Sequence, residues 1–87
     1  MFKIAYRFDG RKSVLLVSGR IEAQHLADLN EQIESSVPPV VLDLAELKLV
    51  DIEAVRYLVL ALRRGIELRS CPAFIREWIR AEELVAR

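Results

Sequence analysis

Residues 40–51 read Val40-Val41-Leu42-Asp43-Leu44-Ala45-Glu46-Leu47-Lys48-Leu49-Val50-Asp51. The stretch opens with a short apolar run that follows Pro38-Pro39, a combination typical of a buried β-strand. Asp51 suits the N-cap of a helix, because its carboxylate can accept hydrogen bonds from the free N–H groups of the following turn. We interpret Ala45–Val50 as a link between the two elements. The stretch therefore predicts a buried strand that leads into a helix, as in α/β folds.

The helix that follows Asp51 is the clearest element of the sequence. Its apolar residues recur at i, i+3, i+4 and i+7, and Gly65 stands where a helix commonly ends. These apolar residues are Val55, Leu58, Val59 and Leu62. The spacing predicts an amphipathic helix whose apolar side packs on the sheet, with Leu58 and Leu62 strongly buried.

After Gly65 the sequence predicts one more strand and one more helix. Ile66–Arg69 alternates between apolar and charged residues, as a half-exposed edge strand does. Ser70-Cys71-Pro72 then opens a third helix, with proline in its first turn. Its apolar stripe consists of Phe74, Ile75, Trp78 and Ile79. We expect Trp78 to be a strongly buried core residue.

Before residue 40 the sequence predicts a β-hairpin and a helix. Apolar residues alternate with polar or small ones along Phe2–Phe8, and Asp9-Gly10 is a preferred pair for a tight hairpin turn. Val14–Val17 is apolar at odd and even positions alike, which indicates a central strand that is covered on both faces. From Ile21 to Ser35 the apolar residues fall on one helical stripe.

The element order is thus ββαβαβα. We expect residues 1–87 to form a single α/β domain built on a small mixed four-stranded sheet. The hairpin is antiparallel, and right-handed crossovers make the later strand pairs parallel, so the Val40 strand should pair with the Val14 strand. The helices should pack mainly on one face of this sheet.

Composition excludes several classes of function. The chain of 87 residues carries 13 basic and 13 acidic side chains, so no net positive field attracts nucleic acid. No apolar run approaches the ~20 residues that span a bilayer, and Met1-Phe2-Lys3-Ile4 begins no signal-peptide pattern, which predicts a cytoplasmic protein without a membrane role. One cysteine and one histidine are too few for a structural zinc site, and no glycine-rich loop could cradle a phosphate. We expect no cofactor.

Some side chains could still carry chemistry. His25 has no nucleophile or ligand partner nearby in the sequence, which favours a structural role. Cys71 could be a reactive thiolate at a helix N-terminus, although a buried capping residue is the favoured interpretation. Glutamates interleave with the arginines of the C-terminal half, which favours a mixed-charge solvated surface over an anion site. These arginines are Arg63, Arg64, Arg69, Arg76 and Arg80.

Asp43 and Asp51 form the most specific candidate pair. They flank a strand end and the next helix start, which is where ligands bind in open α/β sheets. Two carboxylates at this place could hold a cation or share a proton. A helix cap for Asp51 and a turn contact for Asp43 explain both residues without chemistry.

Three segments together resemble the STAS domains, a family of bacterial anti-sigma-factor antagonists and of transporter-associated regulatory domains. Residues 40–51 resemble the buried strand ending in Leu-Asp-Leu that leads to Asp-Ser-Ser-Gly at a helix start. Ser18-Gly19-Arg20-Ile21 resembles the segment before the family's first helix, and Gly65-Ile66-Glu67-Leu68 the one before its last strand. The resemblance covers most of the chain and implies a protein-binding domain without catalysis.

The chain departs from the family at the regulatory position. In the family a partner kinase phosphorylates a Ser or Thr directly after the Asp, and this sequence has Ile52 there, followed by Glu53 and Ala54. The sequence contains no threonine, so no threonine hydroxyl substitutes. The resemblance therefore implies a member that phosphorylation at this site does not switch.

We expect the partner-binding surface at Leu49, Val50, Asp51, Ile52, Glu53, Arg56 and Tyr57. The implied partner is a protein, such as an anti-sigma-type kinase or a component of a transport or signalling complex. Apolar residues around an exposed turn, with arginine and tyrosine one turn later, are typical of interfaces, although they could equally close the end of the sheet. The alternative function is a small ligand-binding protein or enzyme that uses Asp43 and Asp51. A homodimer formed through an edge strand is a further alternative.

Overall fold

A computed structural model describes residues 1–85 of the chain, and these residues form one mixed sheet covered by three α-helices. The strands are β1 (Phe2–Phe8), β2 (Ser13–Ile21), β3 (Val40–Asp43), β4 (Leu47–Val50) and β5 (Glu67–Arg69). The helices are α1 (Leu26–Ser35), α2 (Ile52–Arg63) and α3 (Ala73–Val85), with a 3₁₀ turn at Ala23–His25 before α1.

The sheet confirms the predicted α/β topology and adds one strand to it. Its order is β1-β2-β3-β5, with β1 and β2 antiparallel and the β2–β3 and β3–β5 pairs parallel. The Val40 strand pairs with the Val14 strand as expected. The interpretation of Ala45–Val50 as a link is wrong, because β4 lies within it and pairs in parallel with the end of β2. The sheet therefore has five strands instead of four.

β2 is the central strand because it is long enough to pair with three others. Its first half pairs with β3 and its last residues pair with β4, while β1 runs along its other side. Ile21 belongs to this strand, opposite Val50, so the predicted first helix begins too early. The helical part starts with the 3₁₀ turn at Ala23–His25 and continues as α1.

One face of the sheet carries the main core. Side chains of all three helices join the same apolar cluster with alternate residues of β2, including Leu15, Val17 and Ile21. The prediction that the helices pack on one face is thus confirmed. On the opposite face Val14 and Val41 are buried although no helix side chain of the main cluster reaches them. The Lys12–Glu67 ion pair of 3.1 Å joins the start of β2 to β5 here, and long charged side chains can cover apolar surface in this way.

Two of the three core predictions need correction. Leu58 is fully buried as expected, but Leu62 is 36% exposed and Trp78 is only half-buried. Leu62 lies in the last turn of α2 and lines a surface cavity of about 240 Å³ together with Leu68 and Ile79. Trp78 packs on the edge of the core. Helical spacing identifies the apolar side of each helix, but it does not show how far the neighbouring elements extend over that side.

Gly19 is required where β2 passes the start of β1. Its φ is +85°, a left-handed value that favours glycine. The next residue, Arg20, donates its backbone N–H to the Met1 carbonyl oxygen at 2.9 Å. A Cβ added to Gly19 would lie 1.6 Å from that oxygen. Both the conformation and the close approach therefore require glycine.

We expect Gly19→Ala to lower the free energy of unfolding by about 3 kcal/mol, because it combines left-handed strain with displacement of the Met1 backbone. Gly10→Ala is the matched control, since Gly10 has φ +90° and no atoms within 4 Å of an added Cβ. This control should cost only about 1 kcal/mol. Urea unfolding of both variants measures the difference, and equal losses would show that the close approach to Met1 is unimportant.

A leucine pair on α2 tests the corrected core. Leu58→Ala should cost about 2–5 kcal/mol of unfolding free energy, because it removes a fully buried side chain. Leu62→Ala makes the same chemical change at a partly exposed position and should cost less than about 1 kcal/mol. Chemical denaturation compares the two, and similar losses would restore the expectation that Leu62 is a core residue.

Candidate functional site

Asp51 holds the turn between β4 and α2 through both of its carboxylate oxygens. Oδ1 accepts the backbone N–H of Ala54 at 2.8 Å, which is the predicted helix cap. Oδ2 accepts the backbone N–H of Ala23 at 2.9 Å, at the start of the 3₁₀ turn that precedes α1. The Asp51 backbone N–H also donates to the carbonyl of Ile21. One side chain thus fixes the start of α2 against the end of β2.

A bulge in β4 turns Leu49 away from the core. Leu47 lies opposite Gly19, but Leu49 lies opposite the next residue, Arg20, so Lys48 has no counterpart on β2. Such an extra residue changes the direction of the side chains that follow it. Leu47 is therefore buried, Leu49 is 55% exposed, and Val50 packs partly against the core.

The first turns of α2 present an apolar residue and two charges. Ile52 is the first residue of the helix and is half-buried, whereas Glu53 and Arg56 are exposed. Arg56 lies 3.5 Å from Glu53 and 3.3 Å from Glu82 of α3. The contact with Glu82 could not be predicted from local sequence patterns, because it joins two helices that are distant along the chain.

The side chain of Tyr57 is partly buried and makes its hydrogen bond within the protein. Its hydroxyl donates to Oδ1 of Asn30 on α1 at 2.8 Å, and burial raises the pKa of its phenol. Arg64 contacts the same Asn30 oxygen and pairs with Glu34. This network joins α1 to α2, so Tyr57, like Asp51, is a predicted surface residue that also holds the fold.

A groove between α2 and α3 continues from Arg56. It has a volume of about 260 Å³, and its lining includes Val59, Leu60 and Val85 beside the Arg56–Glu82 pair. Leu60 is 54% exposed there. The candidate surface therefore passes without interruption from the α2 start into a shallow apolar groove.

The two aspartates of the alternative function do not form one site. Asp43 lies opposite Leu16 on β2, while Val50, next to Asp51, lies opposite Ile21. Five residues of strand separate these positions, or about 16 Å. Oδ1 of Asp43 accepts the backbone N–H of Ala45 at 3.1 Å, a turn contact. Within residues 1–85, no group of three or more His, Cys, Asp or Glu side chains is arranged to hold a metal ion.

The other candidates for chemistry have structural contacts. Nδ1 of His25 accepts the backbone N–H of Glu22 at 3.0 Å, and the imidazole stacks on the ring of Phe2 with centroids 4.4 Å apart. Burial raises the pKa of the Cys71 thiol, which opposes formation of a reactive thiolate. Of the arginines considered for an anion site, Arg64, Arg69 and Arg80 each pair with a glutamate.

Comparison with known proteins gives a consistent result. A family model described as "Mlab, STAS domain" matches residues 4–84. Among solved structures, the crystal structure of an antisigma-factor antagonist STAS domain from Rhodobacter sphaeroides superposes with a TM-score of 0.58 and 25% sequence identity. The alignment covers 78% of this chain and 83% of that one. No curated protein matches. In the part of the chain that the structure describes, no helix is both long and apolar enough to cross a membrane.

We expect Asp51→Ala to lower the free energy of unfolding by about 2 kcal/mol, because it leaves two backbone N–H groups without their acceptor. Asp51→Asn should cost less, since its amide keeps one acceptor oxygen. Asp43→Ala is the control and loses a single exposed turn contact, with an expected cost below about 1 kcal/mol. Thermal and urea unfolding test this order, and an Asp43→Ala loss equal to that of Asp51→Ala would contradict the bridging role.

Proposed function

We propose that this chain, which belongs to the STAS domain family, is a non-catalytic module that binds another protein through the surface Leu49–Tyr57. Residues 1–87 would act as one domain, in the cytoplasm. The observation that carries the proposal is the double hydrogen bond of Asp51, because it fixes the turn whose flanking residues, Leu49 and Ile52, leave apolar surface accessible. A fixed turn can bind without first losing conformational entropy, which favours affinity.

The composition of the surface supports a protein partner. Leu49 and Ile52 offer apolar area, and Arg56 with Glu53 offers paired charges at its rim. An apolar centre with a polar rim is the usual anatomy of a protein interface. The groove next to Arg56 is shallow, with about 260 Å³ of volume, and a partner side chain fits it better than an enclosed substrate does.

The surface should keep a constant charge. Residues 37–69 contain no serine or threonine, so the turn and the whole of α2 offer no aliphatic hydroxyl to a kinase. Glu53 places one permanent negative charge in the first helical turn, close to where the family carries its phosphate. The surface can therefore imitate the phosphorylated or the unphosphorylated state, depending on which position the partner contacts. Glu53 can also simply complement the helix dipole.

The partner class follows from the similar proteins. The Rhodobacter sphaeroides structure is described as an antisigma-factor antagonist, so an anti-sigma-type kinase is the first partner to test for this chain. A component of a signalling or transport complex is the second. Neither partner requires catalysis by this chain, and the separation of Asp43 from Asp51 gives no support to the alternative of an enzyme that uses both.

Site-specific photo-crosslinking can identify the partner and its contact surface together. A photoreactive residue is placed at Leu49, Glu53 or Arg56 in the protein expressed in its source cell, and at Arg11 or Glu31 as exposed controls outside the surface. We expect one partner protein to be crosslinked from the first three positions and not from the controls. A partner crosslinked only from Arg11 or Glu31 would contradict the proposed surface.

Titration of that partner then tests the residues. Ile52→Glu should weaken binding at least tenfold, because it places a charge in an apolar contact while suiting the helix N-terminus, so the fold is kept. Leu49→Glu should act similarly. Val37→Glu is its matched control, at 57% exposure against 55% for Leu49.

Glu53→Ala reports whether the partner uses the permanent charge of Glu53, and ATP-dependent kinase treatment should leave the affinity unchanged. Equal affinities for Ile52→Glu, Leu49→Glu and the wild type, all folded, would refute the proposed surface.

A further inference from the structure

Among the described strands, β1, β4 and β5 each pair on one side only, and these edges differ in how they are protected. β4 has only four residues and contains a bulge. β5 has only three residues, and Glu67 on it forms ion pairs with Lys12 and Arg69. β1 is seven residues long, contains no proline and no bulge, and pairs only with β2 among the described strands. A long regular edge strand offers backbone groups to which another strand can be added. β1 is therefore the open edge.

The hydrogen-bond pattern shows which residues of β1 face outward. The Arg20 N–H donates to the Met1 carbonyl, and the Asp9 N–H donates to the Lys12 carbonyl, at the two ends of the hairpin. Because hydrogen-bonded pairs alternate along an antiparallel ladder, the odd-numbered residues of β1 bond to β2. The even-numbered residues point their N–H and C=O groups away from β2. No backbone hydrogen bond from another described segment reaches them.

The three aromatic side chains of β1 belong to these even-numbered residues, and the fourth is Ile4. Tyr6 is 52% exposed and Phe8 is 48% exposed, on the same face of the strand as the half-buried Ile4. The Phe2 ring, in contrast, is stacked on His25. The accessible part of the edge is thus its second half, from Ile4 to Phe8.

We propose that β1 binds β1 of a second copy of this chain, antiparallel, with Tyr6 opposite Tyr6 of the second copy. In this register Ile4 lies opposite Phe8, and three pairs of residues exchange two backbone hydrogen bonds each. Both exposed aromatic side chains then lie in cross-strand pairs, which contribute favourably in sheets. The proposal goes beyond the partner-binding role and does not depend on it.

Charge selects this register over the next one. With Tyr6 at the centre, Lys3 lies opposite Asp9 of the second copy, twice by symmetry. If the strands slide by one step so that Ala5 lies opposite Ala5, Lys3 instead lies opposite Arg7, also twice. Like charges directly opposite each other destabilise a sheet, whereas opposite charges stabilise it. The slipped register would also place Phe8 of the second copy opposite Phe2, whose ring is stacked on His25.

The resulting dimer leaves the α2 surface free. In this register even-numbered residues lie opposite even-numbered residues, so the two-fold axis is perpendicular to the sheet. The helix layers of both copies therefore lie on the same side of the joined sheet. The paired strands bury less than the roughly 1,600 Å² of a standard interface, so we expect a weak dimer with a Kd of roughly 0.1 mM. Dimerisation would present two partner-binding surfaces in one assembly, which raises avidity for a dimeric partner.

Sedimentation equilibrium up to about 1 mM protein tests the association, with Lys3→Glu as the diagnostic variant. In the proposed register Glu at position 3 faces Asp9, so dimerisation should weaken roughly fivefold or more. In the slipped register it would face Arg7, and dimerisation would strengthen. Lys48→Glu changes the net charge equally at an exposed site on β4 and should leave the dimer unchanged. A wild type that stays monomeric, or a Lys3→Glu dimer that is tighter, would overturn the proposal.

Disulfide formation tests the register independently, in a Cys71→Ser background. In the proposed register Ala5 lies opposite Arg7 of the second copy as a non-hydrogen-bonded pair, with Cα atoms about 4.5 Å apart, which suits a disulfide. Mixing Ala5→Cys with Arg7→Cys should therefore give the mixed disulfide dimer. With the Ala5→Cys variant alone, the two cysteines would lie two residues out of register, about 7–8 Å apart, and should crosslink poorly. Efficient crosslinking of Ala5→Cys alone would contradict the register.

Discussion

The position of the candidate surface depends on the carboxylate of Asp51. Its two oxygens accept backbone N–H groups from two different helical segments, one at Ala54 and one at Ala23. The backbone N–H groups of Ala23 and Ala54 therefore have an acceptor at the two helix starts. The turn between β4 and α2 is held against the end of β2. The start of α2, with Ile52 and Glu53, is thereby presented in a defined orientation. Leu49 and Ile52, on either side of this residue, can remain partly exposed without the turn losing its shape.

The proposed function has this STAS domain bind its partner without a phosphate at the start of α2. In a helix N-terminal turn a phosphate would interact with the free N–H groups and the helix dipole and change the charge offered to a partner. At this position the chain has an isoleucine, and the only acidic residue in the first turn of α2 is Glu53. Under the proposed function the charge of this surface is constant, and binding would be regulated by the amounts of the two proteins or by the partner's own state.

The sequence identified elements through local patterns and missed what depends on distant contacts. The helical spacing of α2 and the Asp9-Gly10 turn are local, and both were predicted correctly. β4 was missed because it has only four residues and a bulge interrupts its alternation, so Leu47 and Val50 are at least partly buried although their spacing is odd. The second hydrogen bond of Asp51, to Ala23, joins residues 28 positions apart and has no local pattern. Of the candidate site, the Asp51 cap was predictable, whereas the contacts with α1 and α3 were not.

Hydrogen exchange of the complex with the crosslinked partner tests the central claim most directly. The first N–H groups of α2 have no intrahelical acceptor, so those outside the Asp51 contact exchange readily in the free protein. If the surface Leu49–Tyr57 is the interface, the amides of Ile52 and Glu53 should exchange much more slowly in the complex. The amides in the sheet face opposite the helices and on the outer side of α1 should exchange at an unchanged rate. Protection confined to those other surfaces, with unchanged exchange at Ile52 and Glu53, would contradict the account.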